Sequence, residues 1–185
     1  GLAALDVAGN YAYALDKDEH ELRVIDVTNI QTPILRASYI LPGDLEDPKT
    51  IFYASGKVYI GLSISSDGPE FHVVDVSNPL LPSVLGTYEV GATVNSVQIE
   101  GTTAYISTSV DEVKILNVAD PAAITQIGSY DATGTADGKI AYLVGTKLYL
   151  GRLVGTSNEF YILDVASSAS PQVLASTDLG ASLND

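Results

Sequence analysis

"HELRVIDVTN", residues 20–29, is the stretch whose reading decides the fold, because the chain writes nearly the same words three more times. The other copies are "PEFHVVDVSN" at 69–78, "DEVKILNVAD" at 111–120 and "NEFYILDVAS" at 158–167. Each runs Glu, apolar, any residue, two apolar residues, Asp or Asn, then Val. Working outward, Tyr13, Tyr59, Tyr105 and Tyr149 recur at intervals of 46, 46 and 44, and Asp26, Asp75, Asn117 and Asp164 at 49, 42 and 47. Self-similarity at such a period marks a repeat architecture, in which each unit hides its apolar surface against its neighbours.

Inside each unit the apolar residues alternate with period two, as in half-buried strands: Leu5 and Val7, Ile51 and Tyr53, Val97 and Ile99, Ala141 and Leu143. A glycine follows each time, at Gly9, Gly56, Gly101 and Gly145, where a hairpin turn needs a positive φ. A second strand returns as "YAYAL", "VYIGL", "AYIST" and "LYLGR", and the quoted motif is the third. After Asn-, Pro- and Ser-rich turns a fourth strand runs as "ILRASY", "SVLGTY", "ITQIGSY" and "QVLAST". No stretch carries a helical period with caps. The sequence therefore predicts an all-β, β-propeller-type repeat array of four blades, each of four antiparallel strands, as part of a larger ring or an open assembly. The blades are expected at residues 1–46, 47–90, 91–132 and 133–179, with 180–185 opening a further unit.

Composition narrows the function. The 185 residues are 46% hydrophobic and 17% charged, which is globular composition, and 23 acidic residues against 9 basic ones leave a net charge of −14. Nucleic acid and anionic membrane surfaces, which need clustered Lys or Arg, are excluded as expected partners. With no cysteine there is no disulfide framework and no thiol chemistry, and no apolar run approaches a membrane span.

The stretches "YAYALDKDEHELRVIDVTNIQTP" at 11–33 and "VYIGLSISSDGPEFHVVDVSNPLLP" at 58–82 resemble the LVIVD repeat, a blade unit of bacterial and archaeal proteins, many with surface or export signals. The resemblance covers essentially the whole chain and weakens in the fourth unit, where "ILDVASSASP" lacks the Asn-Pro. It implies a β-propeller, an extracellular or cell-surface location and no common enzymatic activity. It carries over no catalytic residue.

If the strands run up and down, 17 of the 23 carboxylates fall at the end of the blades that bears the second-to-third and fourth-to-first connections. The candidate acidic interaction face comprises Asp16, Asp18, Glu19, Glu21, Asp44, Glu46, Asp47, Asp67, Glu70, Asp111, Glu112 and Glu159. Two readings of the recurrent Glu21, Glu70, Glu112 and Glu159 stay open. They are solvated charges at hairpin ends, or an arc of carboxylates that draws a basic partner or hard cations. "DKDEHE" at 16–21 and "GDLED" at 43–47 lack the spaced oxygens and Gly of a calcium loop, so only weak cation binding is expected there and no metal site or cofactor is predicted. The Asp column reads as turn capping by a short side-chain oxygen, and the tyrosine columns as core packing.

Catalysis finds little support. His20 and His72 are the only histidines and lie in different units, and no GxSxG, HExxH or phosphate-cradling Gly loop occurs. The expected function is a non-catalytic extracytoplasmic module for protein interaction or adhesion through the acidic loop face. The alternative is a structural subunit or decoration of a surface polymer, self-associating through uncapped blade faces. A carboxylate-based glycan hydrolase is a third and weaker reading.

Overall fold

The computed structural model describes residues 1–42, 47–66, 68–134 and 136–183. The strands come in four consecutive groups of four. The first group is β1 (Leu2–Ala8), β2 (Tyr11–Asp16), β3 (Glu21–Asp26) and β4 (Ile34–Ile40), and the second β5 (Pro48–Ala54), β6 (Lys57–Leu62), β7 (Phe71–Asp75) and β8 (Ser83–Tyr88). The third is β9 (Val94–Glu100), β10 (Thr103–Thr108), β11 (Val113–Asn117) and β12 (Thr125–Tyr130), and the fourth β13 (Gly138–Val144), β14 (Lys147–Arg152), β15 (Phe160–Asp164) and β16 (Gln172–Thr177). Each group is one antiparallel sheet with its strands in sequence order, as the period-two pattern and short turns require. The helical content among the described residues is one 3₁₀ turn, Pro121–Ala123, within the Pro-containing turn before β12.

The repeat reaches down to the irregularities of the ladders. Each first-to-second pairing shifts register near its outer end, at Leu2/Ala4, Pro48/Thr50, Ser107/Thr108 and Gly138/Ile140. Each third-to-fourth pairing shifts after the same motif position, at Val24/Ile25, Val73/Val74, Ile115/Leu116 and Ile162/Leu163. A bulge adds twist locally, so the same two bulges give each sheet a similar curvature. The hairpin glycines lie in the left-handed region, with φ of 58° at Gly9, 77° at Gly56, 57° at Gly101 and 58° at Gly145.

The Asp column caps the turn after the third strand. Thr28, Ser77, Ala119 and Ala166 donate their backbone N–H to Asp26, Asp75, Asn117 and Asp164 at 2.9, 2.8, 3.0 and 2.9 Å. Arg36, extruded by the bulge, adds a 2.8 Å ion pair to Asp26. The hydrogen bonds from Thr28, helped by Arg36, hold the Asp26 carboxyl down at about 2, and Ser77 lowers Asp75 in the same way.

The chain divides into two compact units, Gly1–Gly91 and Ala92–Asp185, each holding two sheets and its own core. In the first, Tyr13, Leu15, Leu22 and Val24 of one sheet pack on Ile51, Val58, Ile60 and Val74 of the other. In the second, Tyr105, Val113 and Ile115 pack on Leu148, Leu150, Tyr161 and Leu163. Polar stitches join the inner strands within each unit. Asp6 accepts from the Tyr53 N–H at 2.6 Å, and Gln98, seven residues below Tyr105 as Asp6 is below Tyr13, accepts from the Leu143 N–H at 3.4 Å. Ser96 accepts from the Ala141 N–H at 2.9 Å, and Asn95 donates to the Gly138 carbonyl at 2.8 Å.

Candidate functional site

The recurrent Glu answers the question its repetition raises. Glu70, Glu112 and Glu159 stand one residue before β7, β11 and β15, and all three are buried. Each carboxylate turns to the loop that follows the fourth strand and accepts a backbone N–H twenty residues on. Glu70 takes Val90 at 2.9 Å and Gly91 at 3.1 Å; Glu112 takes Ala132 at 2.7 Å; Glu159 takes Leu179 at 2.8 Å and Gly180 at 3.2 Å. A loop leaving a sheet has N–H groups with no ladder partner, and a buried carboxylate is a strong acceptor for them. These hydrogen bonds hold the Glu159 carboxyl below the usual range, that from Leu179 foremost.

The first repeat solves the same problem differently. Leu41, twenty residues after Glu21, donates its N–H to the His20 carbonyl at 3.0 Å, with His20 in the left-handed region at φ 53°. β3 consequently begins at Glu21, which keeps part of its side chain in solvent and lies 3.5 Å from Arg23. Of the two readings of the Glu column, solvated charges and a carboxylate arc, neither describes Glu70, Glu112 or Glu159. The buried loop N–H groups draw these three inward, away from solvent.

The rest of the predicted face divides by environment. Asp16 is buried, accepts from the Asp18 N–H at 2.9 Å and the Glu19 N–H at 3.4 Å, and pairs with Arg23 at 3.0 Å. Asp18 is exposed and pairs with the Gly1 ammonium, and Glu19 is exposed beside it. Asp47 is exposed, 3.9 Å from Lys49, and Asp111 is partly exposed, 3.5 Å from Lys114. Asp44, Glu46 and Asp67 lie outside the described residues. Among the described residues no group of three or more His, Cys, Asp or Glu side chains is placed to hold a metal ion.

One cluster in the second unit went unread in the sequence. Arg152, at the end of β14, is fully buried and its Nη2 lies 2.6 Å from Glu112 Oε1. Its other donors reach the Ser157 hydroxyl at 2.7 Å, the Asn158 carbonyl at 3.0 Å and the Ala136 carbonyl at 3.2 Å, and the guanidinium sits 5.5 Å from the centre of the Tyr161 ring. Burial raises the Glu112 carboxyl, against the pull of the Ala132 N–H and of Arg152. Burial, with Tyr161 and Glu112 alongside, pushes the Tyr130 phenol up to about 12. The equivalent positions in the other repeats are Asp16, Leu62 and Thr108, so nothing periodic announced a cation here. The cluster ties the third sheet to the fourth through a buried pair whose remaining donors are largely satisfied by carbonyls and hydroxyls.

Comparisons with known proteins agree with this architecture. The computationally designed Ika4 protein aligns with a TM-score of 0.68 at 12% identity, over 89% of this chain and 91% of its own. The designed Ika8 protein aligns at 0.75 and 14%, over 98% of this chain and 50% of its own. The periplasmic gluconolactonase PpgL of Pseudomonas aeruginosa aligns at 0.72 and 11%, over 95% and 56%. The chain thus spans about half the length of the latter two, and at these identities the likeness is one of fold: an all-β, propeller-type array of four-stranded blades. No curated relative matches. A family model does, over residues 3–40, 64–90 and 91–132, and its description is the LVIVD repeat. With the motif recurring in sequence, in ladder register and in the carboxylate-to-loop bond, the chain belongs to the LVIVD repeat family.

Proposed function

We propose that this chain is a non-catalytic, extracytoplasmic β-propeller module that binds a basic protein partner through the loops at its acidic end. The observation that carries the reading is the division of labour among its carboxylates. Glu70, Glu112 and Glu159 are buried and spent on loop N–H groups, while Asp18, Glu19 and Asp47 remain exposed at the same end of the first unit. Buried acceptors hold the loop backbones rigid, so exposed charges are displayed without a large ordering cost on binding. A hydrolase would need two free carboxylates facing one substrate space, and the recurrent acids are already engaged. The net charge of −14 favours steering of a cationic partner. The extracytoplasmic location is supported by the shared fold of the periplasmic lactonase.

A decalysine peptide provides the test, its binding measured calorimetrically at low and at physiological salt. The triple variant Asp18→Asn, Glu19→Gln, Asp47→Asn is expected to bind about fivefold more weakly, from three exposed charges worth about 0.3 kcal/mol each, with a flatter salt dependence. Unchanged affinity in the variant, or no binding by the parent chain, overturns the reading.

A further inference from the structure

The four repeats are of two kinds, and the kinds alternate. Between the second strand and the recurrent Glu the first and third repeats hold four residues (17–20) and three (109–111), the second and fourth seven (63–69) and six (153–158). The connection out of the fourth strand alternates the other way, with eight residues between Tyr39 and Pro48, five between Tyr88 and Val94 and seven between Tyr130 and Gly138.

Side chains keep the same rhythm. The residue after the Glu is Leu22 or Val113 in one kind and Phe71 or Phe160 in the other. Phe71 meets Tyr59, and Phe160 meets Tyr149, in matching geometry, with centroids 6.3 and 6.4 Å apart and planes at 32° and 30°. The next residue is a paired cation in one kind, Arg23 at 3.0 Å from Asp16 and Lys114 at 3.5 Å from Asp111, and a buried His72 or Tyr161 in the other. On the first strand, opposite the tyrosine column, stand Asp6 and Gln98 in one kind, Phe52 and Tyr142 in the other. The caps differ in the same phase. Glu70 and Glu159 each take two loop N–H groups, the second from a glycine at φ 68° or 63°, whereas Glu112 takes one from its loop and Leu41 turns to the His20 carbonyl.

The alternation coincides with the division into Gly1–Gly91 and Ala92–Asp185, and the two halves align with Tyr13 and Tyr105 92 residues apart and Tyr59 and Tyr149 90 apart. We infer that this chain is built from pairs of blades, residues 1–91 and 92–185 being two copies of one module, and that the leading and trailing blades of a pair are different parts which do not replace one another. Duplication of single blades gives no reason for differences in loop length, capping and core residues to share one phase.

Within each copy the two kinds are complements. The leading blade supplies a polar acceptor, Asp6 or Gln98, and the trailing blade the N–H that meets it, Tyr53 at 2.6 Å or Leu143 at 3.4 Å. In the second copy the long loop leaving the leading blade lies on the long loop of the trailing one. The Ser157 hydroxyl donates to the Thr133 carbonyl at 2.6 Å, and the Ala136 Cβ stands 2.8 Å from where a Cβ on Gly155 would be. A Phe at the Asp6 position removes the acceptor of the Tyr53 N–H, and a ring at the fully buried Val113 overfills a core packed for a smaller side chain.

Segment exchange in the 185-residue chain tests this by thermal unfolding. Residues 113–118, "VKILNV", are replaced by "LRVIDV" from the other leading blade or by "FHVVDV" from a trailing one, five substitutions in each case. Residues 160–165, "FYILDV", are replaced by "FHVVDV" from the other trailing blade or by "VKILNV" from a leading one, three substitutions in each case. In both places exchange across kinds is expected to lower the melting temperature at least about twice as much as exchange within a kind. A second measurement reads the fit without rebuilding the core. Asp6→Gln is expected to keep the Tyr53 amide within about threefold of its parental hydrogen-exchange rate, and Asp6→Phe to speed it by more than about tenfold. Exchange across kinds that costs no more than exchange within them overturns the inference, as does a Tyr53 amide that exchanges alike in the two Asp6 variants.

Discussion

Glu70 shows what one side chain contributes to a loop. Its carboxylate is fully buried, with the Val90 and Gly91 N–H groups on one oxygen. Truncation would leave both donors without that acceptor and open a void beneath the loop, so Glu70→Ala is expected to lower stability by about 2–4 kcal/mol in urea denaturation. Glu21→Ala, at the same column position, is expected to cost under about 1 kcal/mol, because the Leu41 N–H goes to a backbone carbonyl and the side chain is partly solvated. Equal losses in the two variants would contradict the assignment. The sequence showed that a Glu recurs at this position. It did not show the acceptor role, since the partners lie twenty residues away on a loop whose path depends on how the sheets turn. The Asp column was legible because its partner N–H is two residues on, within reach of purely local geometry.

At the level of the strands, the fourth-strand position held by Ala37, Gly86, Gly128 and Ala175 is always small. In the second unit the reason is visible. A Cβ on Gly128 would fall far inside van der Waals contact of the Ser168 carbonyl, in the turn between β15 and β16, where Tyr105 also reaches Ser168 with its hydroxyl at 3.4 Å. The neighbouring sheet lays its turn directly on β12 there, and backbone gives way less readily than a side chain. Gly128→Ala is therefore expected to destabilise by about 1–3 kcal/mol, read from thermal unfolding, whereas Ala175→Ser on the exposed β16 changes stability by under about 0.5 kcal/mol. A neutral Gly128→Ala would mean that the turn moves aside. Period-two patterning and turn glycines located the strands themselves, because they encode which face is buried and where the chain reverses. The bulges and the small-residue column carry no such local signature. Both arise from the fit of one sheet against the next.

For the molecule as a whole, the imbalance of 23 acids against 9 bases sets a self-repulsion that the cores must overcome. Only some of these charges are offset by ion pairs, among them Asp26 with Arg36 and Glu112 with Arg152. Raising sodium chloride from about 0.02 to 0.5 M is expected to increase the melting temperature by about 2–5 °C, since repulsion among exposed carboxylates is screened while the buried pair is not. A melting temperature that falls with salt would mean that exposed ion pairs outweigh the repulsion.

What the sequence by itself determined is the unit: four copies, four strands each, their turns, their buried columns and the acidic balance. These follow from local rules of chain reversal and side-chain alternation, which repetition makes readable four times over. What only the tertiary structure decided is the use of the charges. The same Glu is a buried loop acceptor in three repeats and a partly exposed neighbour of Arg23 in the first, and Arg152 became a buried partner of Glu112 at a position where other repeats hold Asp, Leu and Thr. A carboxylate's role depends on its distance to donors brought near by sheet packing and on how much water that packing removes, and neither quantity is a property of the local sequence.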